Sequence, residues 1–135
     1  MNINLKKIYL EVLNEYNKTP HATKDGWRRD YSDYTFKQIE MINNIIKSGD
    51  KILDIGTGSG IVPICFNKIG YDVTTIDYDE SGGNSLKNID IFKIKNQNVN
   101  LNHGRLPFEN ETFNIINLGD VIEHLPNSPK KILKE

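Results

Sequence analysis

Leu5, Ile8, Val12 and Tyr16 recur at three- and four-residue steps, which predicts a short amphipathic helix ending before Thr19-Pro20. The stretch HATKDGWRRDYSDY that follows has no period and mixes aromatic with charged groups, so it reads as a loop. A second helix is predicted from about Ser32, with Phe36, Ile39, Ile42 and Ile46 on one face and Ser48-Gly49 as its stop. The pattern then changes. Lys51–Ile55 (KILDI) is a short aliphatic strand, and a glycine turn leads from it into an apolar helix that tolerates Pro63 in its first turn and stops at Gly70. Tyr71–Ile76 reads as a second strand ending at Asp77, and Asn84–Lys95 as a helix with Leu86, Ile89 and Phe92 or Lys93 on one face. Val99–Asn102 is a third strand, Phe113–Leu118 (FNIINL) a fourth, and a helix begins near Val121. Strands alternating with helices predict an α/β fold: a Rossmann-like parallel sheet with helices on both faces, preceded by N-terminal helices.

The turn, GTGSG, places glycines at 56, 58 and 60, directly after the first strand. In an open parallel sheet ligands bind outside the carboxyl ends of the strands, where such a turn meets the next helix. Gly56 and Gly58 are read as removing Cβ atoms that would block a ligand, and Gly60 as letting the helix pack near the strand. Two cofactor classes compete for the turn. A dinucleotide fingerprint requires G-x-G-x-x-G, but Ile61 stands where its last glycine falls. Asp54 precedes the turn and is an awkward neighbour for phosphate, whereas a carboxylate in a partly desolvated crevice attracts a cationic ligand group. S-adenosylmethionine carries an ammonium and a sulfonium and no phosphate. An NAD-dependent dehydrogenase domain is the weaker alternative.

LDIGTGSG at Leu53–Gly60, the acid at Asp77 and LPFENETFNIINLGDVIEHL at Leu106–Leu125 resemble the class I S-adenosylmethionine-dependent methyltransferases. The likeness is to the type 11 branch, grouped with ubiquinone and menaquinone biosynthesis methyltransferases. By that resemblance Asp54 anchors the methionine ammonium, and the backbone of Gly56, Thr57, Gly58 and Gly60 lines the methionine and sugar. Asp77 accepts both ribose hydroxyls, or else caps the turn after the second strand, and Tyr78 lies against adenine or is an ordinary surface residue. The resemblance also brings Asn102, His103, Gly104, Leu118 and Gly119 to the cofactor. Where the family often has an aspartate contacting the adenine amino group, this chain has Asn102, whose carbonyl can accept the same bond. Where the family commonly has Phe-Asp before the fourth strand, Phe113-Asn114 stands, a structural change rather than a chemical one. Leu106-Pro107-Phe108 is expected to form a turn and hydrophobic lid under the cofactor.

The Asn-Pro-Pro-aromatic signature of nucleobase and glutamine methylation is absent after FNIINL, where Gly119-Asp120 stands, which leaves a small-molecule hydroxyl, carbon or amine as acceptor. His124 is the candidate general base, with helix capping or loop holding as the rival role. A metal site at Glu123-His124 is disfavoured, because neighbours on a helix point about 100° apart and two ligands are too few. Residues 1–50 are expected to form an N-terminal helical cap or lid, and 51–135 the N-terminal half of the cofactor-binding domain. Trp27, Arg28, Arg29, Tyr31 and Tyr34 either fold over the cofactor and an acidic substrate or form a solvated loop.

A class I sheet has seven strands by the resemblance, whereas four are legible here. The chain is therefore expected to be C-terminally incomplete, with FNIINL as an exposed edge that self-associates or takes a partner chain. A cofactor-binding piece without activity of its own is thus a second functional reading. Composition narrows the rest. A formal charge of -1 with no basic block excludes tight binding to nucleic acid or to an anionic membrane. No apolar run approaches the roughly 20 residues of a membrane span. The single cysteine, Cys65, lies in an apolar run as a core residue and fits a reducing, cytoplasmic setting.

Overall fold

Asn4 opens the first helix, α1 (Leu5–Tyr16), by accepting the Lys7 N–H at 3.0 Å, which satisfies one of the donors that a helix start leaves free. The computed structural model describes residues 3–20, 22, 28–78, 84–103, 105–125 and 129–134, with side chains for all of these except 28–32, 84, 85, 103, 129 and 131. α2 (Arg28–Ile45) starts ahead of the expected Ser32, because its first turn is charged and leaves no apolar periodicity to read. β1 (Lys51–Ile55), α3 (Ile61–Ile69) and β2 (Asp72–Asp77) follow. Gly70, at φ +107°, ends α3 by donating its N–H to Phe66 and Asn67 carbonyls.

α4 (Asn84–Ile91) ends short of the expected Lys95, since Lys93 takes a left-handed φ of 56° and turns the chain. β3 (Lys95–Asn98) lies ahead of the expected Val99–Asn102. Its sequence, KNQN, is polar, because this outer strand is largely solvated and hydrophobic alternation is not required of it. Buried Ile94 and half-buried Val99 flank it, and Lys95 pairs with Asp72 at 2.8 Å. Leu101–His103 is a single 3₁₀ turn, and β4 is confined to Ile115–Asn117 within the expected Phe113–Leu118. After Val121 there is no continuous helix, only a 3₁₀ turn at Ile122–His124 and then α5 (Pro129–Ile132).

All pairings in the sheet are parallel, and the strand order is β3-β2-β1-β4. Asp54 stands beside Thr75 of β2 and Asn117 of β4. Asn114 and Lys51 bond reciprocally where β1 and β4 begin: the Asn114 N–H donates to the Lys51 carbonyl at 3.0 Å, and the Lys51 N–H to Asn114 Oδ1 at 2.9 Å. The asparagine that replaces the family's usual aspartate therefore serves strand pairing.

Alternation along β1 divides the core. Ile52 joins Tyr9, Val12, Tyr16, Ile39, Ile42, Ile64, Phe66, Val73 and Ile89 on the face covered by α1 to α4. Leu53 and Ile55 join Ile76, Leu101, Val121 and Ile132 on the other, against which Leu106, Phe108 and Phe113 also pack. Residues before 50 thus share one core with β1 and α3. Cys65 is buried in it, and burial pushes its thiol up to about 12, so it stays neutral and inert.

One polar group crosses this core. Asn88 of α4, 1% exposed, accepts from the Thr19 hydroxyl at 2.9 Å and donates to the Tyr16 hydroxyl at 3.3 Å, tying the end of α1 to α4. Asn88→Leu removes both bonds while keeping the branched outline of the side chain, and should lower unfolding free energy by about 1–3 kcal/mol. Urea denaturation of the two proteins checks this, and equal midpoints would refute it.

Candidate functional site

The chain leaves β1 at Ile55 and turns through positions 56 to 60 into α3, with each glycine of the turn meeting a different neighbour. Gly56, at φ +72°, donates its N–H to the Ile76 carbonyl at 2.8 Å, and a Cβ there would lie 2.2 Å from Val121 Cγ2. Its missing side chain therefore admits Val121, where the sequence suggested clearance for a ligand. Gly60 admits α4 in the same way, its Cβ position lying 2.7 Å from Ile89 Cδ1. Gly58 differs. At φ +52° it would place a Cβ with the Gly56 carbonyl oxygen, 3.9 Å away, as its one neighbour within 4 Å among the described residues, so on their side it faces open space.

Two carboxylates flank that space. Asp77, at the carboxyl end of β2, accepts the Gly58 N–H at 3.0 Å on one oxygen and the Tyr78 N–H at 2.7 Å on the other. An ionised carboxylate has about four acceptor positions, so the described residues leave two of them open. Asp54 is 3% exposed and forms no ion pair among the described residues. Asn117 Nδ2 donates to its Oδ1 at 2.6 Å. Burial raises the Asp54 carboxyl to about 6; bonds from Asn117 and the Thr57 hydroxyl oppose the rise, and nearby Asp77 adds to it. The Thr57 hydroxyl also donates to the Ile76 carbonyl at 3.4 Å.

Asn117 was not a sequence candidate, yet it is the nearest polar partner of Asp54. Its signal was an amide between Ile116 and Leu118 in an apolar strand, since a polar group there needs a partner. Gln38 of α2 carries no such signal; its Nε2 donates to Asn117 Oδ1 at 3.1 Å. Gly119, expected at the cofactor, makes room for that amide: a Cβ on it would lie 1.9 Å from Gln38 Nε2. One turn earlier on α2, the Tyr34 hydroxyl donates to Asp120 Oδ1 at 3.2 Å, and that neighbouring carboxylate raises the phenol's pKa. Tyr34, from the expected lid, thus reaches the segment after β4.

The remaining candidates are more scattered. Tyr78 is 43% exposed at the rim beside Asp77. Val99 donates its N–H to the Asp77 carbonyl at 2.8 Å, which carries the following 3₁₀ turn with Asn102 and His103 to the carboxyl end of the sheet. Asn102 is exposed there, and its N–H is bonded to Asn100 Oδ1 at 3.0 Å. Leu118 packs in the second core cluster. Glu123 and His124 are exposed on the 3₁₀ turn that follows Val121. Leu106 and Phe108 pack into the core, with Phe108 edge-on to Phe113 at 4.9 Å between centroids. Trp27 and Gly104 lie outside the described residues, as do the side chains of Arg28, Arg29, Tyr31 and His103.

Among the described residues, a buried acid without a cationic partner, a glycine cradle open at its centre and a second carboxylate with acceptor positions to spare fit a ligand with a cationic end and neighbouring hydroxyls. Residues 27–135 match a methyltransferase domain family, and the chain belongs to that family. The cofactor that this membership implies is S-adenosylmethionine, and the dehydrogenase alternative falls away. The chain is 34% identical over 101 residues to a ribosomal protein L11 methyltransferase of Campylobacter concisus, matching 72% of this chain and 36% of that one. It is 35% identical over 112 residues to the protein of that name in Dictyoglomus turgidum, covering 74% of this chain and 34% of the relative. The chain thus spans about a third of the length of these curated relatives. A SAH-bound methyltransferase of Podospora anserina, PaMTH1, aligns with a TM-score of 0.48 and 16% identity over 99% of this chain and 57% of that one. The relatives correct one expectation: the acceptor in their name is a protein, which overturns the small-molecule acceptor read from the sequence. No helix among the described residues is long and apolar enough to cross a membrane.

The Asp54 environment has a measurable consequence without any ligand. Its folded carboxyl titrates near 6 and its unfolded one near 3.8, so between these values the folded chain holds a proton that the unfolded chain has released. Stability from this group therefore falls as pH rises from about 4 to about 6. Asp54→Asn should raise the unfolding free energy of the ligand-free protein at neutral pH by about 1–3 kcal/mol and flatten that part of the profile. Urea titrations of both proteins across this range check it; a variant less stable at neutral pH would contradict it.

Proposed function

We propose that the chain carries the cofactor-binding part of an S-adenosylmethionine-dependent methyltransferase that acts on a protein. The observation that carries this reading is the open space at Gly58 between Asp54 and Asp77, at the carboxyl ends of two adjacent parallel strands. S-adenosylmethionine supplies an already activated methyl group when bound. The work left to the protein is then to hold the reactants in line and exclude water. In this reading Asp54 attracts the ammonium end, and the two vacant acceptor positions of Asp77 take the ribose hydroxyls. Tyr78 and Asn102 serve the adenine. Residues 1–50 act as a cap, with Tyr34 and Gln38 of α2 already seated on the end of β4. His124, exposed after β4, takes the proton that an amine or hydroxyl nucleophile gives up. The protein acceptor is favoured by the names of the matched relatives.

Calorimetric titration with S-adenosylhomocysteine and, separately, with NAD tests the cofactor. Binding of the first alone is expected, and binding of NAD alone would overturn the proposal. Asp77→Ala should weaken S-adenosylhomocysteine about ten- to a hundredfold, as loss of bonds to a charged group implies. Gly58→Ala should weaken it at least as much while costing only about 1–2 kcal/mol of stability. For the acceptor, labelled S-adenosylmethionine is offered with a ribosomal protein preparation and with a protein-free metabolite extract. Label confined to the metabolites would exclude the protein acceptor.

A further inference from the structure

Asn117 faces two partners that together fix which way its amide points. An ionised Asp54 only accepts, so the amide nitrogen must face it, at 2.6 Å. The amide oxygen is thereby turned toward α2 and needs a donor, which Gln38 Nε2 supplies at 3.1 Å. The reverse orientation of Gln38 would set two carbonyl oxygens against each other. Gly119 completes the arrangement, because any Cβ there would push the Gln38 amide away. The three residues come from α2, β4 and β1, and the parallel register puts Asn117 directly beside Asp54. We propose that Gln38 and Asn117 form a directional hydrogen-bonded relay that ties the seating of α2 on the sheet to the grip of Asp54 on a cationic ligand group. Both are positioning residues. The inference rests on the proposed cofactor site for its role, but the relay itself is testable without cofactor.

Among the described residues the groups facing Asp54 are few. Asn117 from β4 and Thr57 from the glycine turn favour its ionised form, and Asp77 from β2 opposes it. From α2 come Gln38, through Asn117, and at greater distance Tyr34, engaged with Asp120. No lysine or arginine among the described residues is paired with it. Loosening α2 should therefore free Asn117 to turn and leave Asp54 easier to protonate.

The test follows the Asp54 side-chain carboxyl by carbon-13 NMR in the ligand-free protein across pH, with Asp54→Asn assigning the signal. The wild-type midpoint is expected near 6. Asn117→Leu should move it upward by about one pH unit or more, and Gln38→Ala and Gly119→Ala should move it the same way by less. Parallel titrations with S-adenosylhomocysteine at neutral pH should show affinity reduced about tenfold in Asn117→Leu and about threefold in the other two, with the deficit shrinking as pH is raised. A merely structural role for the amides would lower affinity equally at every pH. If Asn117→Leu does not fold, Gln38→Ala and Gly119→Ala decide the matter. Midpoints unchanged in those two variants overturn the relay. A wild-type protein that binds no S-adenosylhomocysteine at any pH overturns the cofactor reading instead, while the NMR midpoints still judge the relay.

Discussion

A carboxylate held out of water with no cation paired to it among the described residues is the constraint around which this fold is arranged. Asp54 sits on the central strand, where both neighbours are strands and both faces are covered, so water cannot reach it to support its charge. A residue of that kind in an ordinary core would be replaced by an aliphatic one at a gain in stability. Here its neighbours are chosen to make ionisation bearable without abolishing its need: a neutral amide, a hydroxyl and another acid. Stability is thereby given up at the place where a ligand can restore it, which is how a binding site differs from a defect.

The glycine turn beside it illustrates how one motif can satisfy several demands at once. Gly56 and Gly60 exist for Val121 and Ile89, that is, for the packing of the segment after β4 and of α4. Those contacts hold the turn in a left-handed conformation that exposes the amide of Gly58, and Asp77 then holds that amide from the neighbouring strand. The cradle is held from both flanks by packed side chains, while Gly58 at its centre is left free of such contacts among the described residues. Preorganisation of this sort lowers the ordering cost when a ligand arrives.

Much of this was visible in the order of residues because the buried elements carry a strong period. KILDI, the apolar helix after it and the strand ending at Asp77 have hydrophobic positions on every face that packs, so their identity and sequence agree. The outer parts did not announce themselves. KNQN pairs along β2 through its backbone, and its side chains mostly face water, so nothing in their chemistry marks a strand. The first turn of α2 is charged and carries no apolar period either. At the site, the acids and glycines stood out as residue types at fixed spacing, whereas Gln38 acquires its meaning only when α2 is laid across β4. Asn117 and Gln38 are separated by 79 positions, and a local pattern cannot express such a meeting. The acceptor was misread for a different reason: the motifs that read a cofactor are silent on what receives the methyl group.

The reciprocal bonds between Asn114 and Lys51 lie at the far end of the strands from the ligand space, yet they act as a register stop for it. Three residues on, about 10 Å along the strand, the same alignment sets Asn117 against Asp54. A slip of β4 by one residue would bring Ile116 or Leu118 opposite the buried acid and turn the amide to the other face of the sheet. With β4 only three residues long and bonded to β1 alone among the described strands, this stop adds to the packing of Phe113, Ile115 and Leu118 in opposing that slip. A single amide at the entrance of the strand thus keeps the charge chemistry at its exit in phase.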